Sequence, residues 1–271
     1  MIAVLATPGY ATAQAPPARP GPPDSLIPAD ALGGAIRRGR ALVLATRDSL
    51  PRYVGNKLRC VSCHLDEGRR PTGSWVGAFA RYPQYRSRRG GVETIEDRVN
   101  DCFKRSMNGR PLDRSGRDMH DLVAYLAFLS WGTPVGPASD RGGASAAARF
   151  ATLRPDTAAG ARTFGTVCAA CHGVNGQGGS HDAVVAAPPL WGAGSFNIGA
   201  GMARLYTAAT FVRNNMPFDK PGSLSDQEAL DVAAFVNHHP RPDYPGKELD
   251  WPKGDPPPDV AYPTAAERRK H

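Results

Sequence analysis

The sequence contains no run of about 18 apolar residues, the length that a membrane-spanning helix requires, so we expect no membrane span. It also has no convincing alternation of apolar and polar residues, which argues against a fold built on β-sheets. Acidic residues are too few to balance the basic ones: 25 Asp and Glu stand against 33 Lys and Arg, which leaves a net charge of +8. Cysteine is scarce as well, with five residues in a chain of 271.

The spacing of those cysteines is the most informative feature that is present. Residues 60–64 read CVSCH and residues 168–172 read CAACH. In a CxxCH motif the two thiols bind one haem covalently and the histidine supplies the proximal iron ligand. A zinc ribbon would need a second CxxC or a spaced histidine pair, and neither follows. We therefore predict two covalently bound haem c groups, attached and ligated by Cys60, Cys63, His64, Cys168, Cys171 and His172.

The chain divides into two similar halves, each with a helical segment before its CxxCH motif and another at its end. Ser225 and Glu228 form a predicted capping box at the start of the last helix. The 30 Gly and 26 Pro fit loops wrapped around a large apolar cofactor. The sequence thus predicts an all-α fold of two class I cytochrome c-like domains in tandem, each around one covalent haem. The expected helical segments are 31–46, 119–131, 157–166 and 224–238.

The first 15 residues resemble the end of an export signal, because an apolar run leads to Ala13-Gln14-Ala15, a small-residue cleavage pattern. No Lys or Arg precedes Arg19, so a disordered tail or a late start codon are the alternatives. Since haem c is attached outside the cytoplasmic membrane, we expect a periplasmic protein that meets no nucleic acid. The predicted organisation is an export remnant with a Pro-rich tether (1–23), a first domain (24–137), a linker (138–148), a second domain (149–240) and a Pro-rich tail (241–271) over the second domain.

Each haem iron needs a sixth ligand or an open site. In the second half, Met216 stands 44 residues after His172 and is followed by Pro217, as methionine ligands of cytochromes c commonly are. Met202 is the alternative ligand, and packing is the alternative role of Met216.

In the first half, Cys102 occupies the corresponding position, 38 residues after His64. Arg98 and Arg105 flank it, and positive surroundings favour a thiolate. Most lone cysteines are buried structural thiols, but a free thiol in an oxidising compartment is a liability. We therefore expect Cys102 to ligate the first iron, with Met107 as the alternative ligand.

Arginines crowd the region around Cys102, and the sequence shows no matching set of carboxylates. Such a cluster can be a solvated face or a docking site for an acidic partner protein. Guanidinium groups also hold oxyanions of sulfur or phosphorus, and a thiolate beside them favours sulfur chemistry. The cluster comprises Arg69, Arg70, Arg81, Arg86, Arg88, Arg89, Arg98, Arg105 and Arg110.

Two sets of motifs point to one known family. The more specific set lies in the first half: YVGN at 53–56, CVSCHL at 60–65, YPQYRSR at 82–88 and RVNDCFKRSMNG at 98–109. The second set, which many cytochromes c share, is PPLWG at 188–192, SFN at 195–197 and NMP at 215–217. Together they resemble the thiosulfate dehydrogenase / tetrathionate reductase family over most of the chain.

The resemblance implies an oxidoreductase that joins two thiosulfates into tetrathionate, or splits tetrathionate, at one haem while the second haem relays electrons. It implies iron ligation by His64 with Cys102 and by His172 with Met216. Three further positions match the substrate pocket of the family: Arg88, Arg98 and Ser106. Solvation or a haem-propionate contact is their alternative role. Some family members have a lysine before the methionine that can replace it on iron, and Asn215 stands there in this chain.

The expected electron partner is a small c-type cytochrome or another periplasmic redox protein. Two other functions remain open at this point: a dihaem electron carrier, and a thiol-haem subunit of a sulfur-oxidising complex that carries thiosulfate on a partner protein. Turnover with thiosulfate and a small electron acceptor distinguishes them.

Overall fold

A computed structural model describes residues 20–136, 147–181 and 185–268. The predicted export signal and most of the predicted linker lie outside these residues. Within them, no helix is both long and apolar enough to span a membrane.

The described residues form a mainly helical structure with two small β-hairpins. The helices are α1 (Ala31–Leu44), α2 (Thr46–Ser49), α3 (Ile95–Asp101), α4 (Arg117–Phe128), α5 (Thr157–Thr163), α6 (Ala169–His172), α7 (Leu205–Asn215), α8 (Asp226–His238) and α9 (Ala265–Arg268). Two π-helical segments extend α3 and join α5 to α6: Cys102–Ser106 and Phe164–Cys168. The strands are β1 (Gln84–Arg86), β2 (Gly91–Glu93), β3 (Gly179–His181) and β4 (Val185–Ala187).

The sequence analysis does not predict the two hairpins. Strand β1 pairs antiparallel with β2, with Gln84 opposite Glu93, and β3 pairs antiparallel with β4, with Gly179 opposite Ala187. Each strand has three residues. A strand this short shows no readable alternation of apolar and polar residues, so the pattern alone misses it.

The first and last long helices of each domain cross at a glycine. In the first domain α1 packs against α4 at Gly39, where an added Cβ would lie 1.9 Å from the carbonyl oxygen of Asp121. In the second domain α5 packs against α8 at Gly160, where an added Cβ would lie 2.0 Å from the carbonyl oxygen of Asp231. A side chain at either position would force the helices apart. The same contact in both halves confirms the predicted repeat.

Side chains cap the helices that frame each domain. Asp30 accepts a hydrogen bond of 3.0 Å from the Gly33 amide at the start of α1, and Asp156 accepts two from the first turn of α5. The predicted capping box at α8 is confirmed. The Ser225 hydroxyl accepts from the Glu228 amide, and the Glu228 carboxylate accepts from the Ser225 amide at 2.7 Å.

Each domain has its own apolar core, and a smaller cluster joins the two. Leu58 of the first domain packs with Phe196 and Ala203 of the second. Hydrogen bonds flank this cluster, because Asn56 and Asn108 both donate to the carbonyl oxygen of Ser195, at 2.9 and 2.7 Å. The domains are therefore held in a defined contact beside the π-helical segment Cys102–Ser106.

The C-terminal tail lies against the second domain, as expected, and also against the first domain, which the expectation did not include. The Trp251 amide donates to the carbonyl oxygen of Arg88 at 2.8 Å. Asp250 accepts from both terminal nitrogens of Arg105, at 2.7 and 2.8 Å. The reason is electrostatic: buried guanidinium groups of the first domain need a carboxylate, and the tail supplies one.

Candidate functional site

The first CxxCH motif begins as a tight turn, Cys60–Ser62, whose first amide donates to the buried Thr46 hydroxyl at 3.1 Å. The imidazole of His64 stacks on Trp75 and places Nδ1 2.6 Å from the carbonyl oxygen of Gly73. Because a carbonyl only accepts, Nδ1 carries the proton and Nε2 keeps its lone pair for a metal. Burial lowers the pKa of His64 to about 4, which keeps the ring neutral.

The second motif repeats this arrangement. Cys168 ends a π-helical segment, and His172 at the end of α6 places Nδ1 2.9 Å from the carbonyl oxygen of Pro188. Burial lowers the pKa of His172 as well. It raises the pKa of Cys60 and of Cys63 to about 12, so that these thiols stay protonated until they react. Both motifs thus present paired thiols and an oriented imidazole, the donor set that haem c requires.

Cys102 lies beside the first motif, as its position in the sequence predicts. It begins the π-helical segment after α3, and π-helical turns inside helices are frequent at functional sites. Its neighbours Val99 and Phe103 pack in the same apolar core as Cys60 and Val61. The Cys102 thiol also lies close enough to those of Cys60 and Cys63 to raise their pKa values, after the larger effect of burial.

Arg98 is the arginine best suited to bind an anion beside Cys102. It lies one helical turn before Cys102, and the charge of Cys102 is the largest cause of the raised pKa of Arg98. Arg98 in turn contributes to lowering the pKa of His64. In the described part of the chain no carboxylate forms an ion pair with Arg98. The structure therefore brings together an unpaired guanidinium, the Cys102 thiol and the first CxxCH motif.

The expectation that carboxylates do not match the arginine cluster is wrong for five of its nine members. Their partners come from segments that the sequence pattern does not connect, such as Asp250 in the tail. The ion pairs are Arg69 with Asp24 and Glu67, Arg86 with Glu93, Arg88 with Asp250, Arg89 with Asp97, and Arg105 with Asp101 and Asp250.

The guanidinium of Arg88 has more contacts than that of Arg98. Its guanidinium donates to the carbonyl oxygen of Gly199 at 2.8 Å, lies 4.6 Å from the ring centre of Trp251 and approaches Asp250 at 3.9 Å. Burial lowers the pKa of Arg88 to about 10. Ser106 is half-buried at the end of the π-helical segment.

The three methionines that the sequence offers as ligands lie in different surroundings. Met107 is 3% exposed and packs in the first core. Met202 packs against both the second core and the cluster that joins the domains. Met216 follows α7 directly and is half-buried on the loop before α8. Asn215 beside it is fully buried, and neither atom of its amide has a partner among the described residues.

Sequence reasoning missed the residues that the tail and the second domain bring to this region. Asp250 and Trp251 contact the first domain across a separation of more than a hundred residues, and Tyr262 donates a hydrogen bond to Asp250 within the tail. Arg204 lies directly before α7. One signal was available. A tryptophan in a Pro-rich tail indicates docking, because disordered tails contain few aromatic residues.

Comparisons with known proteins agree with this geometry. Residues 53–135 match the family model described as SoxA/TsdA, cytochrome c domain, and residues 155–236 match Cytochrome C oxidase, cbb3-type, subunit III. The chain is 43% identical over 254 residues to a thiosulfate dehydrogenase of Psychrobacter arcticus, covering 93% of this chain and 77% of that protein. The chain belongs to the thiosulfate dehydrogenase family.

Other members of the thiosulfate dehydrogenase family agree. A thiosulfate dehydrogenase of Allochromatium vinosum is 43% identical over 227 residues, covering 82% of this chain and 83% of that protein. The solved thiosulfate dehydrogenase (TsdBA) of Marichromatium purpuratum, in its as-isolated form, superposes with a TM-score of 0.72 at 35% identity over 83% of this chain. This chain covers 50% of the length of that solved chain. The predicted family and the two cytochrome c domains are confirmed, and such domains bind haem c.

Proposed function

We propose that this protein joins two thiosulfate ions into tetrathionate with the release of two electrons, or runs the same reaction backwards. The observation that carries the proposal is the unpaired Arg98 one helical turn from Cys102, beside the first CxxCH motif. A thiol next to a positive charge suits sulfur oxyanions. Relatives that are named thiosulfate dehydrogenases at 43% identity support this substrate.

Each domain would hold one haem c covalently, by Cys60 and Cys63 in the first and by Cys168 and Cys171 in the second. When bound, each haem would accept one electron at a time. His64 and Cys102 would ligate the iron at the active site, and His172 and Met216 would ligate the iron of the relay site. The hydrogen bonds from Nδ1 of both histidines support this, since they leave Nε2 free.

Cys102 is also the proposed nucleophile, in the state in which its sulfur is not bound to iron. Its thiolate forms a sulfur–sulfur bond with the outer sulfur of one thiosulfate, a two-electron oxidation for which the two haems, when bound, would serve as oxidant by accepting one electron each. The outer sulfur of a second thiosulfate then attacks the outer sulfur of the first. The bond to Cys102 breaks, tetrathionate leaves and the thiolate is restored. Two dianions thereby give one dianion and two electrons, so sulfur and charge balance.

The arginines offset the repulsion between two dianions and a thiolate. Arg98 serves best, because no carboxylate of the described residues forms a close ion pair with it, and Glu93 and Asp101 act on it only from a greater distance. Arg88 and the Ser106 hydroxyl complete the cradle for the sulfonate oxygens. A charge-assisted hydrogen bond of this kind contributes about 1.5–3 kcal/mol. Arg88 is fixed by Gly199 and Trp251, so it is already oriented before the substrate arrives.

Electrons leave through the second domain. A methionine ligand favours ferrous iron, so the relay site would have the higher potential when its haem is bound by His172 and Met216. Asn215 offers no amine to replace Met216, and we propose that His172 and Met216 are retained in both oxidation states. The acceptor is a small c-type cytochrome or another periplasmic redox protein. The net charge of +8 favours a partner with an acidic docking face.

The test is steady-state turnover of holoprotein, with two haems verified by intact mass, using thiosulfate and ferricyanide. Cys102→Ser should keep both haems and lower kcat at least about a hundredfold, because it removes the nucleophile. Met107→Leu is the matched control, since it removes the other candidate ligand with little change of volume and should retain turnover. One haem per chain, or turnover that survives in Cys102→Ser, contradicts the proposal. Electron exchange without thiosulfate oxidation in the wild type would instead indicate a carrier.

A further inference from the structure

Arg204 belongs to the second domain but lies against the active-site helix of the first. It follows the short turn Gly201–Ala203, which packs on the π-helical segment Cys102–Ser106. Asn197, a few residues earlier, donates from its side chain to the carbonyl oxygen of Lys104 at 2.9 Å. The whole stretch is therefore fixed on the segment that begins with Cys102.

The guanidinium of Arg204 is poorly neutralised for its degree of burial. Its Nε is buried and has no hydrogen-bond partner, and no carboxylate forms an ion pair with it within the described ranges. Burial lowers its pKa, with Arg86 and Arg98 acting in the same direction, and Asp259 only partly opposes this. Arg204 of the second domain thus lies within electrostatic reach of Arg86 and Arg98 of the first, and no described carboxylate forms an ion pair with Arg98 or Arg204.

We propose that Arg204 is a substrate-binding residue whose guanidinium holds one sulfonate group of the sulfur oxyanion that reacts at Cys102. The inference deepens the proposed function and rests on it for the identity of the ligand. An unpartnered buried guanidinium nitrogen beside other arginines is costly unless an anion occupies the site. The guanidinium of Arg204 donates the hydrogen bonds to the anion, and the contact between the two domains holds this guanidinium in place.

A ligand with two anionic ends suits arginines on two domains. Tetrathionate has a sulfonate at each end of its sulfur chain, and two thiosulfates contribute the same two sulfonates before they join. With Arg98 at one end and Arg204 at the other, the reacting sulfur atoms lie between the domains. Guanidinium groups bind such oxygens in a bidentate manner. The site is then complete only when the two domains are docked.

The test measures tetrathionate binding to ferric holoprotein by isothermal titration calorimetry, because no electrons are then available for turnover. Arg204→Gln should raise Kd at least about tenfold, the loss expected for one charge-assisted contact. Arg204→Lys should raise Kd less, because it keeps the charge without the fork. Arg162→Gln, which removes one charge from an exposed position on α5, is the control and should leave Kd unchanged. In turnover, Arg204→Gln should raise KM for thiosulfate more than it lowers kcat.

An unchanged Kd in a folded Arg204→Gln protein with both haems overturns the inference. So does a shift in the midpoint potential of either haem at unchanged Kd, which would assign Arg204 to a haem propionate. If Arg204→Gln does not fold, the Kd of Arg204→Lys for tetrathionate is measured instead, and an unchanged Kd in that variant also overturns the inference. A wild type that binds tetrathionate but neither oxidises thiosulfate nor reduces tetrathionate contradicts the proposed function alone.

Discussion

Replacement of Asp250 by Asn should release the C-terminal tail from the first domain. Asp250 is 3% exposed and accepts hydrogen bonds from Arg105 at 2.7 and 2.8 Å and from the Tyr262 hydroxyl at 2.6 Å. The guanidinium of Arg88 lies 3.9 Å away. Asn preserves the shape of the side chain but removes its charge, so Arg88 loses its carboxylate partner and Arg105 keeps only Asp101, at 3.7 Å.

The magnitude follows from burial. Removing one partner of a buried ion pair costs about 3–5 kcal/mol, because the remaining charge stays desolvated without compensation. For a cooperative unit of this size, that corresponds to a fall in Tm of roughly 6–20 °C. The assay is urea unfolding of the holoprotein followed by tryptophan fluorescence, to which the buried Trp251 contributes, together with limited proteolysis of the tail.

A double variant and a tail control make the result decisive. Asp250→Leu combined with Arg105→Met should be less destabilised than Asp250→Asn, since it removes the buried charge of Arg105 and leaves only that of Arg88 without a counter-ion. Asp243→Asn, which removes an exposed carboxylate of the same tail, should leave stability unchanged. The reasoning is refuted if Asp250→Asn unfolds within about 1 kcal/mol of the wild type, or if the double variant is as unstable as the single one.

Two further predictions concern the relay site and acid stability. The ferric protein should show the weak far-red absorption band of methionine ligation. Met216→Ala should abolish this band and lower the potential of the haem in the second domain. Met202→Ala should retain the band, and its loss in that variant would reverse the assignment. Glu67 accepts hydrogen bonds of 2.5 and 2.7 Å from Arg40, and this contact, with Arg69, holds the pKa of its carboxyl below the ordinary value. The resulting stability is present above about pH 4.3 and is lost as pH falls through the lowered pKa. Because both side chains are partly exposed to solvent, Glu67→Gln should cost about 1 kcal/mol at pH 7 and progressively less below pH 4. Urea unfolding at pH 7 and pH 3 checks this, and an equal cost at both pH values would contradict it.

Features carried by neighbouring residues could be predicted from the sequence. Both CxxCH motifs, the capping box of Ser225 and Glu228, and the two-domain all-α fold depend on contacts within a few residues or on a helical period. The family resemblance rests on equally local motifs such as residues 98–109. The boundaries were less accurate, because α5 continues through a π-helical segment into α6 and so exceeds the predicted 157–166.

The tertiary structure alone decided which arginines are neutralised. Arg98 and Arg105 look alike in the sequence, yet Arg105 is bound by Asp250, 145 residues away, and Arg98 has no such partner in the described chain. Arg204 reaches the same region from the other domain. Local sequence fixes what a side chain is and which helix carries it. Whether the charge of an arginine is free to bind an anion depends on carboxylates that only the folded chain brings near. Ion pairs act through space and between residues far apart in the chain, so they produce no recognisable pattern in the sequence.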